Sequence, residues 1–120
     1  MENNIIEEKS FSFAVRIVKL YKWLCSDKHE FVLSKQLLRA GTSIGANIQE
    51  AQAAQSKNDF ISKMAIASKE ARETKYWLRL LIQSEYLHKE DDGVKRIMKD
   101  IEDIVNILTK IVKTSCIGKF

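Results

Sequence analysis

Apolar residues recur along this chain at steps of three and four, the spacing of amphipathic helices rather than of strands. Across residues 10–26, Phe11, Ala14, Val15, Val18, Tyr21 and Cys25 share one face, and Phe13, Ile17, Leu20 and Leu24 form a second apolar row beside it. A surface helix needs an apolar stripe of about 100°. This wider arc predicts contact with more than one neighbour, with Ser10 as the N-cap. Across residues 32–55, Leu37, Gly41, Ile44, Ile48, Ala51 and Gln55 alternate in the same way. Ser56 followed by Asp59 resembles a capping box and opens a third segment, residues 57–85. There Phe60, Met64, Ala67, Ala71, Thr74, Leu78 and Leu81 keep an unbroken heptad rhythm. Asp91, Asp92 and Gly93 mark a turn before the fourth segment, residues 92–115. Its core face carries Val94, Ile97, Met98, Ile101, Ile104, Val105, Leu108, Ile111 and Val112. The tail, Cys116 to Phe120, is expected to fray. Four such segments with short connections predict an all-α fold, an antiparallel up-down four-helix bundle in one domain spanning residues 1–120.

Composition sharpens this picture. The chain of 120 residues has no proline and four glycines, too few turn formers for a sandwich or barrel. With 45% hydrophobic and 30% charged residues it belongs with neither disordered nor membrane chains. No apolar run approaches the roughly 18–20 residues that span a bilayer. The opening MENNIIEEK is acidic and lacks an apolar signal region, so a cytoplasmic protein that does not meet the membrane is expected. Gly41 and Gly45 stand four apart inside the second segment, where each costs about 1 kcal/mol relative to alanine. Close helix packing explains them. A phosphate loop is the weaker account, because GTSIGAN lacks the Gly-Lys-Ser/Thr ending.

Catalytic chemistry finds little support. A di-iron bundle wants Glu-x-x-His on two helices, and only His88 follows a glutamate, Glu85, at that spacing, while His29 does not. Cys25 and Cys116 lack metal-ligand spacing, and Cys25 reads as a small buried thiol. Glu70 and Glu73 are three apart, but no histidine or third acid accompanies them. No nucleophile constellation or dinucleotide-binding glycine pattern is present. The expectation is a protein that is not an enzyme and has neither metal nor cofactor.

The net charge of +4 is distributed unevenly. Between residues 32 and 83, the basic residues Lys35, Arg39, Lys57, Lys63, Lys69, Arg72, Lys75 and Arg79 face only Glu50, Asp59, Glu70 and Glu73. Elsewhere bases and acids balance. On a helical wheel Lys69, Arg72, Lys75, Tyr76 and Arg79 gather on one side of the third segment, away from the heptad seam. Such a stripe with an aromatic can hold a phosphate backbone and stack a base. A solvated face is the alternative. The other flank carries Ile66, Glu70, Glu73, Trp77 and Leu80. It suggests a self-association surface, with burial inside the chain as the competing account.

The stretches QLLRAGTSIGANIQEA, DFISKMAIASKEARET and YWLRLL lie within residues 33–81. Together with KSFSFAVRIVKLYKWL at residues 9–24, they closely resemble the four-helix-bundle proteins encoded in intervening sequences of bacterial 23S ribosomal RNA genes. One departure is Ala40, where the family usually has serine. The resemblance implies a ring-like homopentamer. It also implies kinship with the accessory variability determinant of diversity-generating retroelements, a basic pentameric bundle that binds a reverse transcriptase and nucleic acid. No catalytic residues carry over. The matching polar residues Arg39, Glu50, Glu70 and Glu73 invite pairing across helices or subunits, since buried charges are rarely left alone. Arg39 is expected to meet one of the glutamates. The functional expectation is a non-enzymatic oligomer binding RNA or DNA, such as ribosomal or intervening-sequence RNA, through Lys35, Arg39, Lys69, Arg72, Lys75, Tyr76 and Arg79. The alternative is a scaffold for another protein such as a polymerase.

Overall fold

A computed structural model describes residues 2–117 of the chain, with side chains placed from Ile5 to Cys116. Among the described residues it contains four helices and no strand: α1 (Glu2–Lys28), α2 (Leu33–Gln52), α3 (Lys57–Gln83) and α4 (Asp92–Ile117). Each helix packs on its neighbours in sequence, and α1 closes the circuit against α4. Ion pairs give the directions. Lys63 meets Glu50 while Arg39 meets Glu70 and Glu73, so α2 and α3 run antiparallel. Arg16 and Lys9 of α1 reach Asp100 and Asp103 of α4 in the same reversed order. The result is a four-helix bundle of 49 × 23 × 20 Å.

The heptad seam of α3 is the core. Met64, Ala67, Ala71, Thr74, Leu78 and Leu81 are all buried. Leu37, Ile44 and Ile48 of α2 face them, with Ile101, Ile104 and Leu108 of α4. The Ser56 hydroxyl accepts the Asp59 N–H at 3.0 Å, and the Asp59 carboxylate accepts the Gln55 N–H at 3.4 Å. The first bond satisfies one of the orphan donors at the start of α3, and the second ties the chain before the cap back to the helix. α2 is capped differently. The buried Glu30 carboxylate accepts the N–H groups of Val32, Leu33 and Ser34 at 2.7–3.2 Å. With no proline and few glycines, the chain turns the ends of α1 and α3 on His29 and Glu85 in the left-handed region, at φ 52° and 67°.

Three expectations need correction. α1 begins at Glu2, not at Ser10. Ser10 is an interior residue, 1% exposed, and it donates to the Glu7 carbonyl at 3.1 Å instead of capping. Helix continues upstream because Ile6 extends the row of Phe13, Ile17 and Leu24, and that row is the buried one. In the other row Ala14, Val18, Tyr21 and Cys25 are half-buried and only Phe11 and Val15 are exposed, so α1 does meet both α2 and α4 as its width predicts, and part of its apolar arc still lies outside the core. The second helix stops at Gln52, and Gln55 is exposed in the turn. Of the tail expected to fray, Cys116 and Ile117 belong to α4, and residues 118–120 lie outside the described residues.

The two glycines of α2 play unequal parts. A Cβ on Gly41 would stand 2.9 Å from both Cγ atoms of Ile17. On Gly45 the nearest atom would be the Ser10 hydroxyl at 3.4 Å, an ordinary contact. Gly41 alone is where α1 comes too close for a side chain. Cys25 is half-buried, with its sulfur 3.8 Å from both the Glu30 carbonyl and the Ser34 hydroxyl. No helix among the described residues is long and apolar enough to cross a membrane.

Candidate nucleic-acid interface

The buried seam fixes the rotation of α3 and thereby what the helix shows to solvent. Opposite the seam stand Lys69, Arg72, Tyr76 and Arg79, all exposed. Lys69 and Arg79 have no ion-pair partner among the described residues. Arg72 donates to the Thr109 hydroxyl of α4 at 2.8 Å, and the Thr109 hydroxyl in turn donates to the Val105 carbonyl at 2.7 Å. Arg72 is thus positioned by a neutral partner, and among the described residues no carboxylate answers its charge. Tyr76 packs edge-on against Trp77, with centroids 5.1 Å apart and planes at 73°. Its ring is more than half exposed.

Two of the basic candidates are answered by carboxylates. Lys75 leaves the stripe to pair with Glu102 of α4, at 3.2 Å from Oε2. Arg39 reaches across from α2. Its Nη1 lies 3.3 Å from Glu70 Oε1, and its Nη2 bonds to Glu73. Glu73 also accepts the Trp77 indole N–H at 3.3 Å. Arg39, Glu70, Glu73 and Trp77 therefore form one cluster stitching α2 to α3, as the polar pattern predicts for Arg39. Lys35 stands on α2 one turn before Arg39, exposed and without an ion-pair partner among the described residues. It is not part of the α3 stripe.

The second flank divides as well. Ile66 is exposed, while Trp77 and Leu80 are half-buried, and Trp77 packs against the core. Glu70 and Glu73 are spent on Arg39. Sequence reasoning missed Glu102 and Thr109. The signal was the antiparallel order of α3 and α4, which sets the acids of the fourth segment opposite the bases of the third. Among the described residues, no three histidine, cysteine, aspartate or glutamate side chains converge as metal ligands.

Residues 2–110 of the 120 match the 23S rRNA-intervening sequence protein family. The protein belongs to that family. A crystal structure of a protein with unknown function from the S23 ribosomal protein family of Bacteroides thetaiotaomicron superposes with a TM-score of 0.90 at 54% identity. The match covers 94% of this chain and 99% of that one. None of the curated proteins matches. This chain and that protein thus share one fold.

Proposed function

We propose that this protein is a cytoplasmic, non-enzymatic homo-oligomer that binds RNA through the outer face of α3. The observation that carries the reading is the set Lys69, Arg72, Tyr76 and Arg79. Three cations without a carboxylate partner among the described residues flank an exposed aromatic ring along one helix. Cations of that kind displace the counterions of a phosphate backbone, and an exposed ring offers a base a stacking face. Arg39 and Lys75 take the role of structural ties in this reading. The family setting favours ribosomal or intervening-sequence RNA as the ligand.

Self-association is the second half of the proposal. Phe11 and Val15 are 72% and 41% exposed on the outer face of α1, and Ile66 is exposed on α3. A row of apolar side chains left outside a packed core is what an assembling bundle retains for its partner. The ring-like pentamer implied by the family resemblance is the proposed order.

Binding of a ribosomal RNA fragment at increasing salt tests the first half. Affinity should fall steeply with salt, and Arg72→Glu with Arg79→Glu should reduce it by about a hundredfold or more. Unchanged affinity in that double variant would remove α3 as the interface. The exposed apolar row also suits a protein partner such as a polymerase. Recovery of a stoichiometric protein after nuclease treatment, with no RNA bound by the purified chain, would favour that reading.

A further inference from the structure

A groove of about 560 Å³ opens between α1, the α3–α4 connection and the start of α4. None of the residues lining it belongs to α3. Its floor is apolar, formed by Leu87, Val94 and Ile97, which are buried beneath it. Three aromatic side chains, Trp23, Tyr86 and His88, stand around that floor.

The rim is cationic. Arg16, Lys19, Lys28 and Arg96 line the groove, against a single carboxylate, Asp91. Arg16 is already paired with Asp100. Asp91 is also engaged, since it accepts the N–H groups of Gly93 and Val94 at 2.8 and 3.2 Å and so caps α4. Lys19, Lys28 and Arg96 remain exposed with no carboxylate partner among the described residues, and the Lys28 ammonium lies 5.5 Å from the centre of the Trp23 ring.

Unmatched cations above an apolar, aromatic-edged floor fit a ligand with a flat apolar body and an anionic end. The volume lies within the range of small-molecule sites. An acyl chain would prefer an enclosed channel, whereas this groove is open along one side. Aromatic rings beside cations recur where proteins hold unpaired bases with their phosphates.

We propose that the groove binds a single nucleoside phosphate, with its phosphate among Lys19, Lys28 and Arg96 and its base on the floor against Trp23 and Tyr86. The site is separate from the RNA-binding face of α3 and stands or falls independently of it.

Titration calorimetry of the intact protein with AMP tests this, together with Trp23 fluorescence in the Trp77→Phe variant. AMP should bind saturably and quench Trp23. Adenosine alone and inorganic phosphate alone should each bind about tenfold more weakly or worse. Lys19→Glu with Arg96→Glu should cost at least about tenfold in AMP affinity, while Arg72→Glu with Arg79→Glu leaves it unchanged. No saturation by millimolar AMP overturns the proposal. So does phosphate binding as tightly as AMP, or a Lys19→Glu/Arg96→Glu variant that binds like the parent. Loss of AMP binding only in the α3 variant would move the nucleotide to α3, which supports the proposed function and removes this site.

Discussion

At the scale of single residues, Glu30 and Gly41 have the clearest consequences. Burial pushes the Glu30 carboxyl up, but the N–H groups of Leu33, Ser34 and Val32 and the Ser34 side chain push it further down, to a net value below the ordinary 4.5. The unfolded chain therefore takes up this proton first as pH falls. The contribution of Glu30 to stability is complete above the ordinary value and disappears as pH drops through the lower folded one. Glu30→Ala should cost about 1–2 kcal/mol at neutral pH, the range of lost helix caps. The gap between parent and variant should close in acid, as measured by urea unfolding across pH. A gap that persists in strong acid would mean that packing rather than the carboxylate caps α2. The glycines make a paired prediction. Gly41→Ala places a methyl against the fully buried, β-branched Ile17 and should destabilise by about 1–3 kcal/mol. Gly45→Ala meets only an ordinary contact and gains helix propensity, so it should be neutral or stabilising by up to about 1 kcal/mol. Thermal melts of the two variants, which differ by one turn of the same helix, check this directly.

At the scale of helices, the tie between α2 and α3 is the cluster around Arg39. The Arg39 side chain is 48% exposed and that of Glu70 17%, so solvent screens much of the attraction. A double-mutant cycle with Arg39→Met and Glu70→Gln should give a coupling of about 0.5–1 kcal/mol, and a coupling near zero would reduce the cluster to surface decoration. How much of this was legible in the sequence varies from helix to helix. The seam of α3 reads cleanly because its heptad rhythm runs unbroken from Phe60 to Leu81, although Ile66, Trp77 and Leu80 add apolar positions on another flank, and Arg39 could be assigned to a glutamate by the need to pair charges. α1 was harder. Its two apolar rows are equally hydrophobic, and periodicity alone does not say which one is inside. Ile6, seven residues before Phe13, carried the answer, but it sits among the polar residues of the first turns. The basic stripe was legible as a charge count yet not as a free surface, since Lys75 is answered by Glu102 from another helix. Contacts between distant segments leave no mark in the local pattern of either.

At the scale of the whole molecule, the apolar face left on α1 decides between a solitary bundle and an assembly. Phe11 and Val15 lie on the outer side of α1, away from the buried row, and Phe11 is exposed over 72% of its surface. In a lone bundle their replacement by serine would change little, because water already covers most of Phe11 and part of Val15, and the core row of Ile6, Phe13, Ile17 and Leu24 is untouched. In an assembly each side chain is buried against a neighbouring copy, and burying one Phe or Val is worth about 1.5–3 kcal/mol. The same two substitutions thus have opposite consequences for the two states. Phe11→Ser with Val15→Ser should leave far-ultraviolet circular dichroism unchanged. It should lower the sedimentation mass from several chains toward the 13.8 kDa of one, with the dissociation constant raised by about tenfold or more per interface. If mass is unaffected while helicity is retained, α1 faces water and self-association runs through another surface. If the parent sediments as a single chain, the oligomeric half of the proposed function falls, and RNA must bind to an isolated face of α3.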